Sequence, residues 1–222
     1  MSLASERKSL TDNIPLPNIK GLADLIFGLA LSIGALTLIS EKPSSLTQIV
    51  QSLVFFGFTF YILASVWVRY SRIMSVLPVE TGFVVFISIV LLFLVSLEPY
   101  LFNLMISSSS VPPPGQLCLG TTTSLFAADL GSIMLILAFF SHELAIEERK
   151  LIPKKLLESY RLQTYSSIAT AAFFFVSMLP MFWTLSVLGV QSRYLVWTGF
   201  AISTNVRRLL ERNDRKIKAI AK

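Results

Sequence analysis

The chain has 222 residues, 54% hydrophobic and only 14% charged, with 17 Phe, 6 Tyr and 3 Trp and a mean hydropathy of +0.69. Soluble domains carry about 25% charged residues, so this composition excludes a soluble enzyme, a nucleic-acid-binding domain and a disordered chain, despite a net charge of +6. Cys118 is the single cysteine, which excludes a disulfide scaffold. What remains is an all-α integral membrane protein.

Residues 1–18 are polar and contain Pro15 and Pro17, and no cleavable signal peptide is expected there. A membrane-crossing helix needs about 20 apolar residues, and six segments qualify in chain order: Ile19–Ser40, Leu46–Tyr70, Thr81–Ile106, Ser124–Ile146, Ser166–Leu188 and Tyr194–Val206. The last is the shortest. Runs such as FVVFISIVLLFLVSL do not alternate as barrel strands do. Between the third and fourth segments, SSSSVPPPGQLCLG reads as an uncharged outer loop. Between the fourth and fifth, EERKLIPKKLLESYRL reads as a charged, partly helical linker interrupted at Pro153. Residues 207–222 form a basic tail expected to lie near anionic lipid.

Lys and Arg set the orientation. Seventeen of the 19 fall on the side of the two termini, and only Lys42 and Arg193 on the other. The split predicts six spans, both termini cytoplasmic, and a multi-pass protein of a cell membrane. The positive charge is thereby explained without nucleic acid. No repeat relates the two halves, so an inverted-repeat transporter finds no support.

The first span differs from the others in its small residues. Gly28 and Ser32 form one small-xxx-small pair and Ala30 and Gly34 another on a different face, which predicts neighbours on both sides. Leu22, Leu29, Ile33 and Leu36 run along the helix between them. Asp24 lies one turn inside the cytoplasmic end, where an acid needs a partner or water. Glu98 and Asp129 fall toward the outer side, and His142 toward the inner interface.

These residues carry a resemblance. The stretch Asn18, Leu22-Ala23-Asp24-Leu25-Ile26-Phe27-Gly28-Leu29 resembles the first-helix signature Arg-x-x-x-Phe-Ser-Asp-Gly-Val-Phe-Ala-Ile of the transmembrane-protein-175 potassium channels, in their prokaryotic branch. Trp67-Val-Arg-Tyr-Ser-Arg-Ile-Met74 is similar to that family's Trp-Leu-Asn-His-His-Arg-Leu-Phe, and LLFLVSLEPYLF to its third-helix segment ending in Pro-Phe. The fourth segment, LFAADLGSIMLILAFFSHELA, follows the family's fourth-helix pattern. Asp24, Phe27, Trp67, Arg72 and Pro99 agree with the signatures. Asn18, Leu22, Ala23 and Tyr70 depart from them, making this a divergent member.

The resemblance implies a homotetramer with the first helix of each subunit lining a central pore permeable to K+, without any resident cofactor. By position it implies a constriction of Leu29, Ile33 and Leu36, hydroxyls at Ser32 and Thr37, and a supporting network of Asp24, Trp67, Tyr70 and Arg72. A hydrophobic ring can gate by dewetting and forces an ion to shed water. The expected function is a potassium-selective or weakly selective cation channel. The alternatives are a non-conducting structural or accessory membrane protein and a secondary transporter using Asp24, Glu98 and Asp129. An enzyme is not expected: one His, one Cys and no metal-ligand spacing leave little catalytic material.

Overall fold

The computed structural model describes residues 19–40, 46–77, 82–107, 119–146 and 154–179, together with 182, 186–187, 190–191 and 197. Five long helices occupy this region: α1 (Ile19–Ser40), α2 (Leu46–Met74), α3 (Gly82–Ser107), α4 (Leu119–Ala145) and α5 (Lys154–Ser177). A short antiparallel ladder follows, in which β1 (Ser186–Val187) pairs with β2 (Val190–Gln191) and Val187 faces Val190. Helices α1 to α4 each hold a stretch long and apolar enough to cross a membrane: Ile19–Ile39, Ser52–Met74, Gly82–Met105 and Gly120–Ala145. In hydrocarbon a helix is favoured because it satisfies its own backbone groups.

Local chemistry sets the ends. α2 closes through bonds from the Ser75 and Leu77 amides to the Ser71 and Ile73 carbonyls, at 3.1 and 2.9 Å, and Ser75 Oγ donates to the Arg72 carbonyl at 2.7 Å. Pro78 then bars continuation. α3 runs through Pro99 without ending, although proline has no N–H for the preceding turn.

Three expected segments need comment. The fourth helix begins at Leu119, five residues before Ser124, because the three prolines at 112–114 lie far enough upstream to leave LGTTTS free to coil. The fifth segment, expected at Ser166–Leu188, is displaced: α5 starts directly after Pro153, absorbs most of the supposed linker, and stops at Ser177. Lys154–Gln163 contains good helix formers that a search for apolar runs overlooks. At the other end, the Met178 and Leu179 amides bond to the Phe175 and Val176 carbonyls, both at 3.1 Å, tightening the turn ahead of Pro180. Ser186 and Val187, expected in that helix, are in the ladder instead.

Of the expected sixth span, Tyr194–Val206, only Trp197 is among the described residues. Residues 1–18, the basic tail 207–222 and Cys118 lie outside them.

α4 is the packing centre, meeting α2, α3 and α5, whereas α1 packs on α2 and α3. Phe126, Leu130, Ile133, Met134, Leu137, Phe140 and Leu144 of α4 are wholly buried. Their three- and four-residue spacing gathers them on the enclosed side of the helix. α5 opposes α4 with a stripe of small and hydroxyl residues (Thr164, Ser167, Thr170, Ala171, Ser177), all buried. Thr164, Thr170 and Ser177 donate to the carbonyls of Tyr160, Ser166 and Phe174, at 3.0, 2.7 and 2.6 Å. Small residues permit close helix approach in lipid. Here the approach is close enough that a Cβ on Gly131 would stand 3.0 Å from the Phe175 ring. Trp197 closes this side, donating from Nε1 to Ser177 Oγ at 3.0 Å and stacking on Phe58 with ring centroids 6.1 Å apart.

Candidate functional site

α1 divides lengthwise. Ala23, Phe27, Ala30 and Gly34 are buried toward the bundle, and a Cβ on Gly34 would lie in van der Waals contact with Phe56 of α2, at 3.4 Å. The other side is bare. Leu22, Leu25, Leu29, Ile33, Leu36 and Ile39 are 42–79% exposed. Gly28, Ser32 and Ala35 are exposed beside them. Of the two small-residue pairs, then, Ala30/Gly34 is enclosed and Gly28/Ser32 is not, because no other described helix of the same subunit covers it. An added Cβ at Gly28 meets nothing within 4 Å.

At the basic end, Trp67 Nε1 donates to Asp24 Oδ1 at 2.7 Å, joining α1 to α2. The acid is exposed and has a partner, as its position in an apolar helix requires. Phe27 packs one turn further along α1, its ring 6.3 Å from that of Tyr70. Tyr70 in turn lies 6.2 Å from Phe140 of α4. The remaining members of the expected network are placed differently. The Tyr70 hydroxyl is buried on the side of Ser88 of α3, but the geometry gives it no hydrogen bond, so Tyr70 serves here as an aromatic wedge. Arg72 is exposed in the last turn of α2.

The two hydroxyl candidates also differ. Ser32 is exposed and donates to the Gly28 carbonyl at 2.8 Å. Thr37 is half-buried and donates to the Gly34 carbonyl at 2.7 Å. Each commits its proton to the helix.

Glu98 and Asp129 do not sit at an interface. Glu98 is wholly buried and Asp129 is 6% exposed. The two carboxyls come within hydrogen-bonding reach of each other between α3 and α4. Neither Glu98 oxygen nor Asp129 Oδ2 accepts a bond from any described donor. Sequence reasoning placed them by depth along each helix, and depth does not report on facing. It also missed Arg69, whose guanidinium reaches Ser167 Oγ at 3.4 Å and ties α2 to α5. Its position on the inward side of an apolar helix was the available signal. Among the described residues, no group of three or more His, Cys, Asp or Glu is placed to hold a metal.

The molecule is therefore a helical membrane protein whose first helix is left uncovered along one side by the other described helices. Residues 18–99, covering α1, α2 and most of α3, match the family model described as endosomal/lysosomal potassium channel TMEM175. The fold is similar to the crystal structure of a lysosomal potassium-selective channel TMEM175 homolog from Chamaesiphon Minutus, with a TM-score of 0.55 and 19% identity, covering 84% of this chain and 96% of that one. No curated relative matches the chain. The first three helices are thus similar to a family of ion channels, and the fold to that of a solved homolog.

Proposed function

We propose that the protein is a potassium channel formed by four copies around a central pore, with the bare face of α1 turned to the axis. The observation that supports this most strongly is the six-residue aliphatic strip on α1, left uncovered by every other described helix of the subunit. It lies inside the segment that matches the channel family. Leu29 and Leu36, with Ile33 between them, lie seven residues apart, about 10 Å of helix at 1.5 Å per residue. Four such sets would make a short apolar throat.

Entry into this throat requires an ion to give up part of its water. Potassium holds its shell less tightly than sodium, so the barrier is lower for potassium, and selectivity arises without a carbonyl filter. Ser32 lies on the bare face and can offer its oxygen to a passing cation. Thr37, half-buried, stands at the edge of that face. Asp24 and Trp67 fix the tilt of α1 against α2 at the basic end, and Phe27 with Tyr70 holds its depth. The basic side carries both termini and faces the cytoplasm of a cell membrane.

Glu98 and Asp129 are enclosed in the bundle, away from the bare face, which disfavours a carrier that exposes them to solute. The test is flux through purified protein in liposomes, with potassium and sodium compared, paired with the mass of the particle in detergent. Potassium flux above sodium flux with a four-subunit mass is expected. A one-subunit mass without flux contradicts the proposal.

A further inference from the structure

Where α4 ends and α5 begins, the two helices part around a groove of about 770 Å³, lined among the described residues by His142, Ala145, Ile146, Arg161, Thr164, Tyr165 and Ile168. That volume is in the range of small-molecule sites, about 300–1,000 Å³. The groove does not touch α1 and is independent of the pore reading.

Its lining is graded. Arg161 and His142 are exposed and stand nearer the helix ends, Tyr165 is 69% exposed one turn deeper on α5, and Ile168 follows at 46%. A guanidinium, then a tyrosine, then an exposed aliphatic residue is the order met on passing from water through a membrane interface into hydrocarbon. Arg161 makes no ion pair among the described residues. Nor do the described acids nearby pair with it: Glu158 is exposed on the preceding turn, and Glu143 is half-buried on α4. A guanidinium that no described acid pairs with, beside an apolar wall, matches an anion that brings its own apolar body. The groove also opens on the side that carries 17 of the 19 Lys and Arg, the side expected to meet anionic lipid.

We infer that this groove seats one anionic phospholipid per subunit, its phosphate on Arg161 with His142 and Tyr165 beside it, and an acyl chain descending over Ile168. The occupant is a lipid and not a free anion, because Ala145, Ile146 and Ile168 give an aliphatic lining that a small hydrated anion would leave unused. Basic segments of the chain itself are disfavoured by the same guanidinium.

The test uses the full-length protein in detergent, stripped of lipid and then given phosphatidylglycerol, phosphatidylcholine or inorganic phosphate. Thermal unfolding and native mass spectrometry read the outcome. Phosphatidylglycerol is expected to raise the unfolding midpoint and remain bound at one per subunit, and the other two to do neither. Arg161→Gln removes a solvent-facing side chain without an ion pair, so its lipid-free midpoint should be unchanged while the lipid-dependent rise is lost. Arg161→Lys should keep part of it. If Arg161→Gln responds to phosphatidylglycerol as the wild type does, or if phosphatidylcholine serves equally well, the site is overturned. A rise of the same size with inorganic phosphate alone would overturn the assignment to lipid. Should Arg161→Gln fail to fold, Tyr165→Phe and His142→Gln must together weaken retention of the lipid, and full retention would count against the inference.

Discussion

Helices α1 and α4 are both apolar enough and long enough to cross a membrane, yet among the described residues α4 is wrapped by its own chain and α1 is uncovered along one side. In α4, Leu130, Ile133, Leu137 and Phe140 have no exposure at all. In α1, Leu29 and Leu36 are 60% and 59% exposed. Hydropathy alone does not account for this. Around α4, small and hydroxyl residues stand on the facing helix α5, so two backbones approach and the large side chains of α4 fill the remaining space. In α1, small residues occur on both flanks, but only the Ala30/Gly34 flank meets a neighbour among the described helices of the subunit. A helix built to be packed on two sides and packed on one needs another copy of the chain, or lipid, on the second.

The sharpest way to break this contrast is the same substitution in both helices. Leu130→Asn opens a cavity and buries an amide without partners, so it should lower stability by about 3 kcal/mol or more, read as thermal unfolding in detergent. Leu29→Asn should change unfolding by less than about 0.5 kcal/mol, while raising potassium flux in liposomes about tenfold, the factor given by about 1.4 kcal/mol of barrier. Equal destabilisation by the two variants would erase the distinction between the helices.

Glycines sharpen it further. Gly131→Val drives a branched side chain into the Phe175 ring and should cost about 1–3 kcal/mol. Gly28→Ala should leave unfolding of the subunit unchanged, because the added methyl meets nothing. Any effect of Gly28→Ala should appear in the mass of the assembly. Smaller still, Trp67→Phe should cost about 0.5–1 kcal/mol through loss of the bond to Asp24, a bond open to water on one side. Asp24→Asn added to Trp67→Phe should cost little more, and additive costs would show that the two do not act as a pair. Glu98→Gln should be the mildest: its amide can donate to Asp129, so the midpoint should hold or rise slightly.

What could be read in the sequence divides along physical lines. α1 occupies Ile19–Ser40, the bounds suggested by its apolar run, because polar chain ends it on both sides and no proline intervenes. The pairing of Asp24 with Trp67, 43 residues apart, follows no local rule and came into view only through the family signature. The start of α5 was hidden because Lys154–Gln163 is helical by propensity but not by hydropathy, and its end was missed as well: the apolar run continues to Leu188 past Pro180, where the helix has already stopped. Whether Leu29 and Ile33 face core, lipid or water was not legible at all. Those three environments accept the same residues, and only the positions of α2 and α3 separate them. The meeting of Glu98 with Asp129 is hidden for the same reason: it depends on how α3 and α4 are rotated, not on how deep each acid lies.

Access of water-borne reagents to α1 tests the central claim most directly. In a Cys118→Ser background, Leu29→Cys and Ile33→Cys would be placed in liposomes and treated with a membrane-impermeant, charged thiol reagent during potassium flux. Rapid block at both positions, with no effect for Leu130→Cys, is the predicted result. Flux that continues unchanged, while only a lipid-soluble maleimide labels the two thiols introduced on α1, would put the bare face of that helix in lipid and remove the pore from it.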